Sequence, residues 1–385
     1  MKIETLTYTT GVGWSAPATP NLDGPQTLVL AFGERHLIDD DTPLRELSAR
    51  FPQSVLVGCS AAGVVQGAKV HDETLLVTAL QFDHTPVRAV SLPVASSSDS
   101  RAVGVALGQQ LATDGLSAVF VLSDGLLVNG SELIAGFNAA VPEHVLITGG
   151  LAGDGDRFER TWVLLDRQPK QGVVTAVGFY GPNVVVRHGS RGGWDIFGRE
   201  RRVTRSDGNI VYELDGQPAL QLYKTYLGDL ASGLPATGLL FPLALLREAG
   251  DSGDGEPIVR TLLGIDEAAQ SLIFAGNVPE GALARLMRTN LDRLVDGAAD
   301  AAERARGTDA HAQTGPVLSI AVSCVGRRMV LGERIDEELE AVLEQLLPGI
   351  VQVGFYSYGE LSPFATGRCD LHNQTMTLTT ISERD

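Results

Sequence analysis

Short apolar runs separated by turn residues recur along the chain and predict alternating strands and helices. Residues 27–33 form an apolar run of strand length, and residues 42–51 follow with helical spacing and Pro43 in the first turn. Residues 54–63 form a second run that ends in glycine, and residues 73–80 form a third. The pattern therefore predicts a unit of strand, helix, strand, glycine-bearing turn and strand.

The same order occurs twice more along the chain. The second copy has its strand, helix and glycine-bearing element at residues 118–125, 131–141 and 144–153, and the third has them at 317–324, 335–347 and 350–359. Aligning Gly58, Thr148 and Gly354 also aligns Gly63, Gly153 and Gly359. Glycine at a turn allows positive φ or a close approach to the backbone.

These repeats predict an α/β fold of repeated strand-helix-strand-strand units. We expect two similar domains, each with a mixed sheet flanked by helices, because a sheet must bury an apolar face. The expected division is an N-terminal segment at 1–24, a first domain at 25–222 and a second domain at 223–385. A degenerate fourth unit is expected at 239–276, and one long helix at 282–305. The segments 249–256 and 307–315 are expected to be mobile loops.

Charge and composition disfavour several classes of function. The chain carries a formal charge of −17, which disfavours binding to nucleic acid or to an anionic membrane surface. No apolar run is long enough for a membrane-spanning helix, and residues 1–10 lack the apolar core of a secretory signal. The three cysteines, Cys59, Cys324 and Cys369, are far apart in sequence. They favour neither a disulfide framework nor a zinc site, and a cytoplasmic location is expected.

The glycine-rich segment 149–155 is a candidate for ligand contact. It is not a phosphate loop, because Asp154 and Asp156 follow the glycines and no helix begins there. Two interpretations stay open. The segment is either a tight turn between strands or a place where a ligand approaches bare backbone.

Cys59 and Ser60 lie in a segment that resembles a nucleophile elbow. The glycine expected two residues after the serine comes one residue late, at Gly63, and a strand rather than a helix follows. A hydrolase with a Cys59 or Ser60 nucleophile remains an alternative. Cys59 as a small buried apolar side chain is the simpler interpretation.

An arginine-rich segment at 187–205 stands out in this acidic chain. Guanidinium groups such as that of Arg191 bind carboxylates bidentately, and Trp194 offers a flat face for a ring or a cation. His188 is the best single candidate for a haem ligand, because it follows an apolar strand within this segment. A solvated hairpin with scattered charges is the alternative interpretation.

Aromatic residues gather near the C-terminus. Tyr356, Tyr358 and Phe364 accompany Glu360 within a few positions. Tyrosine combines an apolar body with one polar tip, which suits a ligand pocket. Packing in a core beneath an edge strand explains the same cluster.

Taken in order, these motifs resemble the FIST domain family. The segments 58–63, 122–125 and 149–154, followed by 203–220, resemble a FIST N domain, and 354–364 resembles the FIST C signature. The resemblance covers roughly residues 25–380. It implies a non-enzymatic bacterial sensor that binds a small molecule, with amino acids as proposed ligands. It also implies a haem-binding nitric oxide sensor as an alternative. Either would signal to a separate partner such as a histidine kinase.

The ligand site is expected where the glycine-bearing turns of the two domains face each other. Gly150, Gly153 and Asp154 would come from the first domain. Tyr356, Tyr358 and Glu360 would come from the second. In this hypothesis Asp154 and Glu360 receive an ammonium group, and Arg191 receives a carboxylate.

Overall fold

The computed structural model describes residues 1–16, 22–246, 257–307, 315–363 and 368–384. Segment 249–256, most of segment 307–315, and Phe364 lie outside these ranges. The strands, in chain order, are β1 (Lys2–Thr9), β2 (Gly13–Trp14), β3 (Thr27–Gly33), β4 (Val55–Ser60), β5 (Val64–Gln66), β6 (Lys69–His71), β7 (Thr74–Gln81), β8 (Val87–Pro93), β9 (Leu116–Ser123), β10 (Leu146–Leu151), β11 (Val163–Leu165), β12 (Gln168–Lys170), β13 (Val173–Tyr180), β14 (Val184–Arg191), β15 (Asp195–Asp207), β16 (Ile210–Leu214), β17 (Gln217–Pro218), β18 (Leu243–Leu246), β19 (Ile258–Arg260), β20 (Leu262–Asp266), β21 (Ser271–Phe274), β22 (Leu283–Arg288), β23 (Leu318–Cys324), β24 (Val351–Ser357), β25 (Gly359–Pro363), β26 (Cys369–His372) and β27 (Met376–Glu383). The α-helices are α1 (Thr42–Arg50), α2 (Ser100–Leu111), α3 (Gly130–Ala140), α4 (Ala219–Leu227), α5 (Leu291–Arg306), α6 (Val325–Leu331) and α7 (Ile335–Gln345).

Three of the sheets contain the same unit. In each unit two parallel strands are followed by an antiparallel third strand, and a helix connects the parallel pair. Unit 1 is β3, β4 and β7, unit 2 is β9, β10 and β13, and unit 3 is β23, β24 and β27. The predicted fold class, a mixed α/β protein with mixed sheets flanked by helices, is confirmed.

The register of the parallel pairs corrects one repeat alignment. Gly58 lies opposite Ala31, Gly149 opposite Val121 and Gly354 opposite Ala321. The predicted equivalence of Thr148 with Gly58 was therefore wrong by one residue, and Gly149 is the matching position. In the corrected alignment Ala62, Gly153 and Tyr358 are equivalent.

In each unit, the hairpin that belongs to it forms hydrogen bonds with a strand in the sheet of another unit. The hairpin β5–β6 of unit 1 pairs with β24, hairpin β11–β12 of unit 2 pairs with β4, and hairpin β25–β26 of unit 3 pairs with β10. The three sheets are therefore joined in a closed cycle. The predicted domain boundary at residues 222/223 falls within α4 and stays a prediction.

The fourth sheet differs from the other three. Its eight strands, β15 to β22, pair only in antiparallel fashion. We call this part of the molecule the antiparallel sheet. The prediction of a degenerate fourth unit at 239–276 was wrong, because the described strands of that segment pair only in antiparallel fashion.

The predicted single helix at 282–305 was also wrong. Leu283–Arg288 forms strand β22, and the helix begins at Leu291. Asn290 caps it, because its side-chain oxygen accepts a hydrogen bond from the Arg293 N–H at 2.9 Å. The side chains of Leu286 and Met287 are buried, but both residues lie in a strand. Their helix-like spacing in the sequence was therefore misleading.

Candidate functional site

Three main-chain hydrogen bonds close the cycle of units at one point. The N–H groups of Ala62, Gly153 and Tyr358 donate to the carbonyl oxygens of Tyr356, Ser60 and Leu151 at 2.8, 3.1 and 3.1 Å. The three donors occupy equivalent positions in units 1, 2 and 3. We call this point the central junction. It joins the segments that follow the second strand of every unit.

The central junction brings together six of the residues singled out from sequence. Gly150 lies opposite Glu360 in the β10–β25 pair. The Tyr358 hydroxyl donates to the Asp154 carboxylate, and its oxygen lies 3.0 Å from the Gly155 carbonyl oxygen. Gly153 and Tyr356 contribute to the ring of main-chain bonds.

The two carboxylates at the central junction already have partners. Asp154 also accepts hydrogen bonds from the N–H groups of Phe158, Glu159 and Arg160 at 2.8 to 3.0 Å. Its lone pairs hold its own loop in place. An incoming ammonium group would have to compete with four donors there.

Glu360 is fully buried beneath the junction. Its carboxyl group accepts bonds from Ser357 Oγ at 2.7 Å, Thr375 Oγ1 at 2.9 Å and Thr375 N at 3.2 Å. Burial raises the pKa of Glu360 to about 8. The group is therefore mostly protonated at neutral pH.

Cys59 and Ser60 are also fully buried. Burial raises the pKa of the Cys59 thiol, which keeps it protonated and unreactive. Ser60 Oγ accepts a hydrogen bond from the Trp162 N–H at 3.0 Å. Neither side chain lines one of the two largest cavities described below, so the geometry does not favour a nucleophilic role.

The first large cavity, about 560 Å³, opens beside the central junction. We call it the central cavity. The walls come from the ends of β3 and β4, the β6–β7 turn, the Asp154 loop and α6, and its charged lining residues include Glu34, Arg35, Asp72, Arg157 and Arg328. Burial and the nearby acidic groups raise the pKa of Glu34.

The second large cavity, about 570 Å³, lies between unit 3 and the antiparallel sheet. We call it the Trp194 cavity. It is lined by the loop that follows β14, by one face of α5 and by apolar side chains of the antiparallel sheet. Arg191 and Trp194, predicted from sequence, both line it.

Charge is distributed across the Trp194 cavity. Arg191 Nε lies 3.9 Å from Asp300 Oδ2, and Arg293 pairs with Asp195 at 2.5 Å. Asp296 also lines the cavity from α5. The Trp194 ring is fixed, because its Nε1–H donates to the Gln374 carbonyl at 2.9 Å.

Buried polar groups lie next to the floor of the Trp194 cavity. His372 and Thr375 line the cavity. Between them, Asn373 Oδ1 and Gln374 Oε1 are buried and have no hydrogen-bond partner among the described residues. Buried acceptors of this kind are uncommon in folded proteins, and each needs an explanation such as a bound donor.

Helix α6 connects the two cavities. Arg327 and Glu338 form a fully buried ion pair at 2.8 Å. Arg327 also donates to the Gly192 carbonyl in the wall of the Trp194 cavity. The next residue, Arg328, donates to the Ala62 carbonyl at 2.5 Å in the central cavity. Tyr356 joins the buried group through its hydroxyl, 2.5 Å from Glu338 Oε1.

Comparison with known proteins agrees with this architecture. A profile for the FIST N domain matches residues 27–217, and a profile for the FIST C domain matches residues 219–363. The chain belongs to the FIST family. FIST domains are associated with sensing in signal transduction.

Relatives in this family share about a quarter of their residues with the chain. An uncharacterized protein of Mycobacterium tuberculosis is 24% identical over 362 residues, covering 92% of this chain and 91% of its own. One from Mycobacterium bovis is 25% identical over 372 residues, covering 92% and 90%. One from Methanocaldococcus jannaschii is 24% identical over 350 residues, covering 82% and 62%. These relatives assign no ligand, so the ligand must be argued from the cavities.

His188, the haem-ligand candidate in this FIST protein, lines neither of the two large cavities. Its Nδ1 is 3.5 Å from Ser362 Oγ. It borders a cavity of about 120 Å³ and a more open one of about 470 Å³. Burial lowers the pKa of His188 to about 4, so the imidazole is neutral and has the protonation state of a metal ligand.

Two negative findings apply to the described ranges only. No helix there is both long and apolar enough to cross a membrane. No group of three or more His, Cys, Asp or Glu side chains there has the geometry of a metal site.

Sequence reasoning missed several residues of these cavities. Arg328 lines the central cavity, and Arg327 bonds the Gly192 carbonyl in the wall of the Trp194 cavity. Both lie on α6, which begins where β23 ends, and the carboxyl ends of parallel strands often contribute to sites. That position was an available signal. Asp296 and Asp300 are four residues apart on α5 and share one face of it. Both lie within the helix predicted at 282–305, so their spacing was also an available signal.

Proposed function

We propose that this FIST protein senses a small zwitterionic molecule, such as an amino acid, in the Trp194 cavity. One observation carries the proposal. Cationic and anionic side chains line a cavity of about 570 Å³, together with an apolar wall and the polar residues Ser190, His372 and Thr375. Small-molecule sites fall in this size range and combine apolar walls with a few placed polar groups.

The charged side chains of the Trp194 cavity include cations for the carboxylate of an amino acid and anions for its ammonium group. Arg191 and Arg293 would receive the carboxylate, since guanidinium groups bind carboxylates with paired hydrogen bonds. Asp296 and Asp300 would receive the ammonium group. This replaces Asp154 and Glu360 in that role, because those two carboxyl groups have partners within the fold.

The apolar wall would receive the side chain of the ligand. Trp194, Ile196, Val259 and Met287 line this part of the cavity. The wall lies between unit 3 and the antiparallel sheet, and interfaces between substructures are favoured ligand sites. A ligand there would contact both parts of the molecule, which would allow a signal to pass to a separate partner such as a histidine kinase.

Thermal shift with the twenty amino acids, followed by calorimetry, tests this proposal. A ligand that binds only the native state raises stability by mass action. Arg191→Gln and Asp296→Asn should each weaken binding by about tenfold, the effect of one lost charge-assisted hydrogen bond. Arg199→Gln is the matched control, because that arginine lies on β15 outside the lining of the Trp194 cavity. Equal binding by all variants would reject the Trp194 cavity as the site.

Haem binding through His188 is a second candidate. It is supported by the neutral, largely buried imidazole beside the cavity of about 470 Å³, which Arg187 and Arg304 also line. The arginines would pair with propionates, and a bound haem would supply gas recognition. Protein purified with added haem should then show a Soret band that is lost in His188→Ala. A band of unchanged position and intensity in that variant would exclude His188 as the ligand.

A further inference from the structure

The central cavity has the position expected of an independent binding site. It lies at the carboxyl ends of the parallel strands β3 and β4, beside α6 at the end of β23. Ligands of open α/β sheets bind outside the carboxyl ends of strands. At about 560 Å³ the cavity is as large as the Trp194 cavity, and the two have no lining residue in common.

The corrected repeat alignment explains why space exists there. In unit 3 the equivalent position holds Tyr358, whose ring stacks on Phe158 with centroids 4.4 Å apart and fills the cleft towards unit 2. Units 1 and 2 have Ala62 and Gly153 at that position, and Ala62 lines the central cavity. The small Ala62 side chain of unit 1 therefore leaves space at the position that a tyrosine fills in unit 3.

Arg328 defines the chemistry of the cavity wall. Its guanidinium group is held by the Ala62 carbonyl at 2.5 Å and lies 5.8 Å above the Tyr356 ring. Its Nη1 and Nη2 groups also donate to the two carboxylate oxygens of Asp72, at 2.9 and 2.7 Å. Arg328 is 26% exposed and Asp72 is 64% exposed, so the cation is fixed and its partner is at the surface.

We propose that the central cavity binds a small carboxylic acid, whose carboxylate replaces that of Asp72 on Arg328. The Asp72 side chain then competes with the ligand, because it binds the Arg328 guanidinium group when no ligand is present. An exposed ion pair of this kind is weak enough to exchange. The planar guanidinium fork favours a carboxylate, which accepts two parallel hydrogen bonds, over a spherical anion such as chloride.

The rest of the lining narrows the ligand class. Arg157 offers a second cation, and Glu34 and Asp156 offer acceptors for a hydroxyl or amino group. With so many charged side chains, the wall favours a short polar acid over a fatty acid. This site is separate from the Trp194 cavity, and it does not depend on the function proposed for that cavity.

Calorimetric titration with acetate, lactate, succinate and glutamate tests the proposal. Asp72→Asn removes the competitor and should raise affinity about two- to fivefold, the range corresponding to an exposed ion pair. Arg328→Gln removes the recognition group and should lower affinity by at least about tenfold. Asp166→Asn, an exposed acid in the β11–β12 hairpin, is the matched control for the change in charge and should bind like the unaltered protein.

The outcomes separate this site from the one proposed above. Arg191→Gln should leave binding at the central cavity unchanged, so loss of carboxylate binding in that variant would place the ligand in the Trp194 cavity and overturn the inference. Unchanged or lower affinity in Asp72→Asn would also overturn it, as would the absence of binding of all four acids at millimolar concentration. Because Asp72 is exposed, its variant remains informative even if Arg328→Gln fails to fold.

Discussion

At the scale of single residues, Glu360 links protonation to stability. An ordinary glutamate titrates near 4.3, whereas burial raises the pKa of Glu360 to about 8 in the native protein. Between these values the native state binds one more proton than the unfolded state. The contribution of Glu360 to stability is therefore fully present below the unfolded pKa and is lost as pH rises through the native pKa.

Because the contribution of Glu360 to stability falls as pH rises, the effect of replacing Glu360 should depend on pH. Glu360→Gln, which resembles the protonated acid, should gain stability relative to the unaltered protein as pH rises from about 4.5 to about 8. The gain should approach about 1.4 kcal/mol per pH unit at its steepest. Denaturant unfolding of both proteins across this range measures it. A difference in unfolding free energy that does not vary with pH would show that Glu360 is ionised in the native state.

The buried ion pair Arg327–Glu338 is the second test at this scale. Both side chains are fully buried. Removing one partner leaves the other charge uncompensated, so Arg327→Met should destabilise the protein by about 3–5 kcal/mol. Glu337→Gln, next to Glu338 on α7, is the control, because Glu337 is exposed and its substitution should have little effect. Chemical denaturation compares the two variants, and equally small losses would show that the buried pair contributes little to stability.

Sequence reasoning located part of the candidate sites at this scale. Glycine-bearing turns can be identified from composition, and the structure does place Gly150, Gly153 and Tyr358 at one junction. Which polar groups are already bonded cannot be read from sequence. Asp154 accepts bonds from residues four to six positions later and from one 204 positions away, and only the fold shows these partners.

At the scale of elements, glycine controls the packing of the parallel strand pairs. A Cβ atom at Gly58 would lie 2.2 Å from the carbonyl oxygen of Ala31, and equivalent contacts of 2.0 and 1.8 Å occur at Gly149 and Gly354. Such distances are too short for any side chain. The three units therefore require glycine at the same position for the same steric reason.

Gly58→Ala tests this requirement. The strand β4 would have to move away from β3, at a cost of about 1–3 kcal/mol, as for other overpacked sites. Gly24→Ala is the control, because nothing lies within 4 Å of its Cβ position and its φ is not positive. Thermal unfolding of both variants is the measurement. Similar melting temperatures would mean that the strand pair adjusts without strain.

Buried strands and amphipathic helices could be predicted well from the sequence. Local apolar patterns were enough for β3, β9 and β23 and for the helices α1, α3 and α7. Prediction failed at β22, where the spacing of Leu283, Leu286 and Met287 fits both a helix and a strand. This segment forms a strand because it pairs with β15. Local periodicity does not encode pairing between segments so far apart in the sequence.

At the scale of the whole molecule, the exchange of hairpins makes the units depend on one another. Hairpin β25–β26 pairs with β10, and β24 pairs with β5. Both pairings cross the predicted boundary at residues 222/223. Sequence similarity among the repeats predicts that the units resemble each other, but it does not indicate which sheet receives each hairpin.

This dependence leads to a prediction for separated halves of the chain. A fragment of residues 1–222 would leave β10, β5 and β14 without their partner strands β25, β24 and β27. Unpaired edges of this kind promote aggregation rather than stable folding. We expect neither 1–222 nor 223–385 to show a cooperative thermal transition alone, and we expect a folded complex when both are co-expressed. A second pair, divided at the exposed Gly216 turn, is the control for damage to α4. A monomeric 1–222 fragment with a cooperative transition would instead support two independent domains.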